Sequence, residues 1–144
     1  MASGQWSVAG DQLLQTALHE GEKPKLKSYR DLEVWKKSIK LAKAVYQLSA
    51  RFPPEEKFGL TSQVRRAVIS VAANIAEGSE RQGNKEFLHF LSIAGGSLAE
   101  TETFLVLAQE LGMAGAEHTN PLLAQSAEVG RMLNGLKRSL RAIR

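Results

Sequence analysis

Four stretches of this chain repeat apolar residues every three or four positions, and the breaks between them are short. That spacing marks one buried face on each of four helices. The first stretch opens near Ser28, where Ser28 and Asp31 have capping-box spacing, and runs on Leu32, Trp35, Ile39, Ala42 and Tyr46 until Pro53 and Pro54 end it. The second covers about Leu60 to Glu77 on Leu60, Val64, Val68, Val71 and Ile75, and Gly78 to Asn84 reads as the turn after it. The third starts near Lys85 and reaches about Leu111 on Phe87, Leu91, Ala94, Leu98, Thr101 and Leu105, with Gly112 to Gly115 closing it. The fourth takes Asn120 as its cap and Pro121 at its first helical position, where a missing N–H costs nothing. It continues on Val129, Leu133, Leu136, Leu140 and Ile143. No strand pattern competes. The expected fold is all-α, an antiparallel up-down four-helix bundle over residues 28–144. Residues 1–27 read as an N-terminal extension. Within it Asp11 to His19 has the spacing of a short helix, which Gly21 and Pro24 break, and a loose arm is the alternative.

Two of the four helices are too apolar for a lone bundle. From Ala67 to Ala76, and again from Phe90 to Ala99, there is no charged residue. Opposite its core stripe the second helix carries Arg65, Ile69, Ala72, Ala73 and Ala76, and the third carries a second stripe of Phe90, Ile93, Phe104 and Leu111. A helix that is apolar nearly all round is buried nearly all round, and soluble monomers rarely expose large apolar patches. A homo-oligomer is therefore expected, with Ile69, Ala72, Ala73, Ala76, Phe90, Ile93 and Phe104 in its interface. The alternative cover is the first 27 residues.

Polar side chains punctuate the same two helices. Gln63, Arg66, Ser70, Asn74 and Glu77 share one strip of the second helix, and Ser92, Gly96 and Glu100 recur at four-residue steps on the third. Buried polar groups must find partners, so Gln63, Arg66, Ser70, Asn74, Glu77 and Glu100 are expected to form a structural hydrogen-bonded network. Gly95 and Gly96 each cost about 1 kcal/mol relative to alanine inside a helix, which close packing or a bound ligand would offset.

Candidate chemistry is sparse. The chain has no cysteine, which removes thiolate ligands, thiol nucleophiles and disulfides. Glu86-x-x-His89 has the i, i+3 form found in di-iron bundles, but such sites need two of these pairs and further glutamates. No phosphate loop, serine–histidine–acid set or carboxylate dyad is present, so neither a cofactor nor a catalytic residue is expected. No signal segment and no stretch of membrane-spanning length are read, giving the expectation of a cytoplasmic protein with no membrane role.

Charge is segregated. Residues 28–52 and 119–144 each sum to +4, residues 53–118 sum to −4, and the first 27 balance, giving +4 in total. Lys36, Lys37, Lys40 and Lys43 lie along the first helix, and Arg131, Lys137, Arg138, Arg141 and Arg144 along the fourth. Such cations are what phosphate binding requires, although a charged strip is also simply a solvated face. No aromatic residue interleaves them to support base stacking.

The runs YRDLEVWKKS (29–38), FPPEEKFGLTSQVRRAVISVAANIAEGSER (52–81) and FLSIAGGSLAETETFLVLAQELG (90–112) resemble the bacterial four-helix-bundle family named for intervening sequences in large-subunit ribosomal RNA genes. The accessory protein of diversity-generating retroelements looks like a relative. The resemblance implies a bundle without known catalytic activity, assembled as a ring-like oligomer, a pentamer. It also implies an association with RNA or DNA, or alternatively with a protein partner. Ala72 stands where the family often has proline, and Gly95 where it often has a basic residue, which removes a kink and a cation respectively.

Overall fold

The computed structural model describes residues 28–143, and the expected N-terminal helix and Arg144 lie outside that span. Four α-helices account for most of it: α1 Glu33–Ser49, α2 Leu60–Ser79, α3 Gly83–Glu110 and α4 Ala116–Ala142. No strand occurs among the described residues. Contacts concentrate between α1 and α2, α2 and α3, α3 and α4, and α4 and α1, so the helices close around one core.

The first helix differs from its expected form in start and in orientation. Ser28 does form a capping box with Asp31, but the turn it caps is the short 3-10 segment Tyr29–Asp31. Leu32 then takes an extended conformation before α1 begins. The residues α1 buries are Val34, Ser38, Leu41, Val45 and Leu48. Ile39 and Tyr46, expected inside, are 43% and 38% exposed. Both sets have helical spacing, so periodicity alone cannot choose between them. The polar-tipped aromatics tolerate the rim: Tyr29 meets Trp35 edge-on at 5.2 Å, and the Arg65 guanidinium lies 4.4 Å from the centre of the Tyr46 ring. Arg65 also ties α2 to the end of α1, donating from Nε to Ser49 Oγ at 2.8 Å and from Nη2 to the Tyr46 carbonyl at 3.2 Å. It adds a further donor to a carbonyl that already accepts from Ala50 N at 3.0 Å.

The expected stripes of α2 and α3 are buried throughout, from Leu60 to Ile75 and from Phe87 to Leu105. Gly78, expected to open a turn, is instead inside α2. A Cβ there would stand 2.7 Å from Phe90 Cβ and 3.0 Å from Phe87 Cδ1. Glycine is what lets α2 come so near α3. Gly95 and Gly96 behave oppositely, because a Cβ at either would meet nothing within 4 Å. No close approach among the described residues explains them.

At α4 the expected start is late by a turn. The helix begins at Ala116 and contains Pro121. The extra turn carries buried Thr119, whose hydroxyl donates to Gln109 Oε1 of α3 at 2.6 Å. That anchor fixes the earlier start, and Pro121 forgoes only one backbone bond because it lies close to the helix end. Further along the same seam the Ser126 hydroxyl donates to the Glu102 carboxylate, and Asn84 Nδ2 reaches the Leu140 carbonyl at 3.3 Å.

One expectation about membranes needs correction. By length and composition α3 is apolar enough to cross one, because only Glu100 and Glu102 interrupt its apolar run. Within the bundle 33% of that window is buried, so much of the apolar side of α3 is left without cover from the described residues.

Gly78→Ala should lower stability by about 1–3 kcal/mol in denaturant unfolding, since the neighbour it strikes is a Cβ and not a mobile side-chain end. A stability equal to the wild type would show that α2 and α3 can separate freely.

Candidate nucleic-acid interface

The two basic segments, far apart in the chain, are neighbours in the bundle because α1 packs beside α4. Lys37 bridges the seam to Glu128 at 3.4 Å. Lys37 and Lys40 of α1 line a shallow recess with Gln125 and Glu128 of α4. Arg131 lies one turn past Glu128, and Arg138 and Arg141 continue along α4. The result is a band of cations running from the end of α4 across the seam and along α1.

Its members differ in how far they are neutralised. Lys36 pairs with Glu33 at 3.4 Å, one turn away on its own helix, and Lys37 with Glu128. Both pairs are well exposed, so each contributes at most about 1 kcal/mol and yields readily to a phosphate. Lys40, Lys43, Arg131, Lys137, Arg138 and Arg141 form no ion pair among the described residues. One more cation, which the charge reading of the sequence did not single out, joins the band, and a second lies near its far end. Arg51, just past α1, lines a groove of about 260 Å³ with Ala44, Gln47, Leu48, His118 and Leu122. Lys85 stands in the first turn of α3, next to the Asn84 that reaches α4. Helical spacing would have found Arg51, which continues the Lys36, Lys40, Lys43 strip.

The expected polar network is smaller than its sequence strip. Asn74 Nδ2 donates to the Ser70 carbonyl at 2.8 Å and to Ser70 Oγ at 2.9 Å. Ser97 Oγ of α3 donates to the same Ser70 Oγ at 2.8 Å. Glu77 pairs instead with Arg81 at 2.7 Å, on the surface, and Arg81 lies 4.9 Å from the centre of the Phe90 ring. Gln63, Arg66 and Glu100 are exposed, where water can satisfy them. The network is thus Ser70, Asn74 and Ser97, a tie between α2 and α3.

The residues expected at an interface between copies are also sorted by the fold. Ile69 and Ile93 are 46% and 40% exposed, and Ala73 is exposed. Ala76, Phe90 and Phe104 are half-buried. Ala72 is a correction: it is 6% exposed and belongs to the interior, because it lies only about 40° round the helix from Val68. The surface also shows apolar residues that were not anticipated, among them Val106 and Leu107 on α3. His89 meets only the edge of Phe90, at 5.5 Å, and among the described residues no three histidine or carboxylate side chains gather as a metal would require.

Comparison with known proteins now decides the family. A model of the 23S rRNA-intervening sequence protein family matches residues 30–135. The chain belongs to that family. Among solved structures it is similar to a protein of unknown function from the S23 ribosomal protein family of Bacteroides thetaiotaomicron. The TM-score is 0.66 at 25% sequence identity, over 72% of this chain and 97% of the other. A search of curated proteins gave no significant match. The family match covers α1, α2 and α3 whole but stops at 135, inside α4. Lys137, Arg138 and Arg141 lie beyond it.

Replacing Lys40 and Lys43 together by glutamine removes two unpaired cations from the band. If the band binds phosphate, affinity for RNA should fall and the slope of log affinity against log salt should flatten by about 2, with no change in melting temperature. An unchanged slope would exclude both lysines from contact.

Proposed function

We propose that this protein is a non-enzymatic bundle that assembles with further copies of itself and binds nucleic acid through the basic band of α1 and α4. The observation that carries the binding half is the gathering of cations without carboxylate partners on one side of the molecule, from two segments that chain order keeps apart. The family name and the neighbour's attribution to a ribosomal protein family favour RNA over DNA as the ligand. The reading sets the protein in the cytoplasm.

The assembly half rests on uncovered apolar surface. Ile39, Tyr46 and Ile69 lie exposed on α1 and α2, and Ile93, Val106, Leu107 and Leu111 on α3. Beside the α3 residues stand Gly95 and Gly96 with open space above them, room in which another helix could approach closely. The helices would alternate in direction. Ser70 meets Ser97, while Gly78, further along α2, meets Phe90, further back along α3. Gln109 meets Thr119 and Asn84 meets Leu140 in the same opposed order. Two separate apolar surfaces suit a head-to-tail contact, which closes into a ring when the rotation allows. Five subunits is the number the family resemblance suggests.

Light scattering on the purified protein, with ultraviolet absorbance recorded for nucleic acid and protein together, tests both halves. The expected result is a discrete multimer that releases copurifying nucleic acid in high salt. Ile69→Glu or Ile93→Glu should lower the native mass. A monomeric wild type would overturn the assembly half. A multimer with no affinity for RNA or DNA at low salt would overturn the binding half and leave a protein-interaction scaffold.

A further inference from the structure

We infer that the ligand of the basic band is single-stranded, and that Phe58 is the ring on which one of its bases stacks. The inference rests on the nucleic-acid reading above and narrows it. Phe58 is 87% exposed, more than any other large apolar side chain of the described residues. Its loop is braced rather than loose. Pro54–Glu56 forms a 3-10 turn, Lys57 N donates to the Pro54 carbonyl at 3.1 Å, and Gly59 N donates to the Glu56 carbonyl at 2.9 Å. Glu56 Oε1 then accepts from Leu60 N at 2.9 Å, tying the loop to the start of α2. On the other side Phe52 is buried in the core. An aromatic ring held in water by a fixed backbone is a preformed contact with one face to offer.

The charges around it select the partner. Lys57 Nζ is 5.5 Å from the centre of the Phe58 ring, and Arg51 precedes the loop without an ion pair among the described residues. Lys36, Lys40, Lys43 and Arg51 recur every three, four or eight residues along one side of α1. At 1.5 Å per residue they span about 22 Å, the length of several nucleotides. A phosphate chain laid on this strip and continued past Arg51 reaches a loop in which Lys57 stands beside an exposed aromatic ring. That combination is how sequence-tolerant single-strand sites are built. Duplex offers the ring little, since each base inside a helix is already stacked on both faces.

The test uses the full chain with oligouridine, oligoadenosine and a duplex RNA of equal length as probes, and compares wild type, Phe58→Ala, Phe58→Trp and the Lys40→Gln/Lys43→Gln pair. Phe58→Ala should weaken single-strand binding by about tenfold, while duplex affinity, salt slope and native mass stay put. Phe58→Trp should restore affinity, with its indole fluorescence quenched by the bound strand. Phe58→Ala binding single strands as wild type does, while the lysine pair loses affinity, would overturn this inference and leave the nucleic-acid reading standing. A wild type that binds no probe would overturn both. A changed native mass in Phe58→Ala at unchanged RNA affinity would assign the ring to a contact between protein subunits, and would also overturn it.

Discussion

Gly78 of α2 lies against Phe87 and Phe90 of α3 with no room for a methyl group. Eleven residues lie between Gly78 and Phe90. The 2.7 Å that a Cβ at Gly78 would stand from Phe90 Cβ brings the two helices almost backbone to side-chain base at their connected end. Ser70, Asn74 and Ser97 hold them further along with hydrogen bonds that a buried surface makes worth keeping. Steric fit fixes the spacing and the hydroxyl tie fixes the register. Once α2 and α3 are locked, only their remaining faces are open to α1 and α4.

The seams that α1 makes are of another kind. Its contact with α2 depends on Arg65 reaching the end of α1 and lying over Tyr46. Its contact with α4 carries the exposed Lys37–Glu128 pair and two shallow recesses. Polar, loosely filled ground of this sort leaves the long cationic side chains of α1 and α4 in contact with water. The division follows from composition: α2 and α3, each with a long uncharged central stretch, pack as the tightest pair, and the two basic segments fall on α1 and α4. The same composition leaves Ile93, Val106, Leu107 and Leu111 of α3 exposed among the described residues.

Much of this was legible in the residues, and the failures are instructive. The stripes of α2 and α3 were readable because each has one strongly apolar set of bulky residues facing a weaker one. Helix α1 has two sets of comparable strength, Val34–Leu41–Val45–Leu48 and Trp35–Ile39–Tyr46, and a helical wheel gives no reason to prefer either. Ala72 was misplaced for a related reason: a small residue gives the pattern no size signal. Gly78 was read as a turn because glycine has two uses, conformational freedom and thinness, and only the neighbour across the gap shows which is in play. Phe58 has no periodic signal to mark it, because the exposure of a loop aromatic depends on how the fold places the loop.

The sequence by itself determined that there are four helices, where three of their breaks fall, which residues make up two of the core stripes, and that positive charge gathers in two segments. These follow from local periodicity, proline and glycine chemistry, and counting, none of which needs a partner. Tertiary structure decided the rest: which face of α1 turns inward, that Gly78 is a contact and not a bend, that Ser97 and not Glu100 completes the polar tie, and that the two basic segments form one band. Each of those depends on what stands across a gap from a residue. That information is carried by packing and not by spacing along the chain.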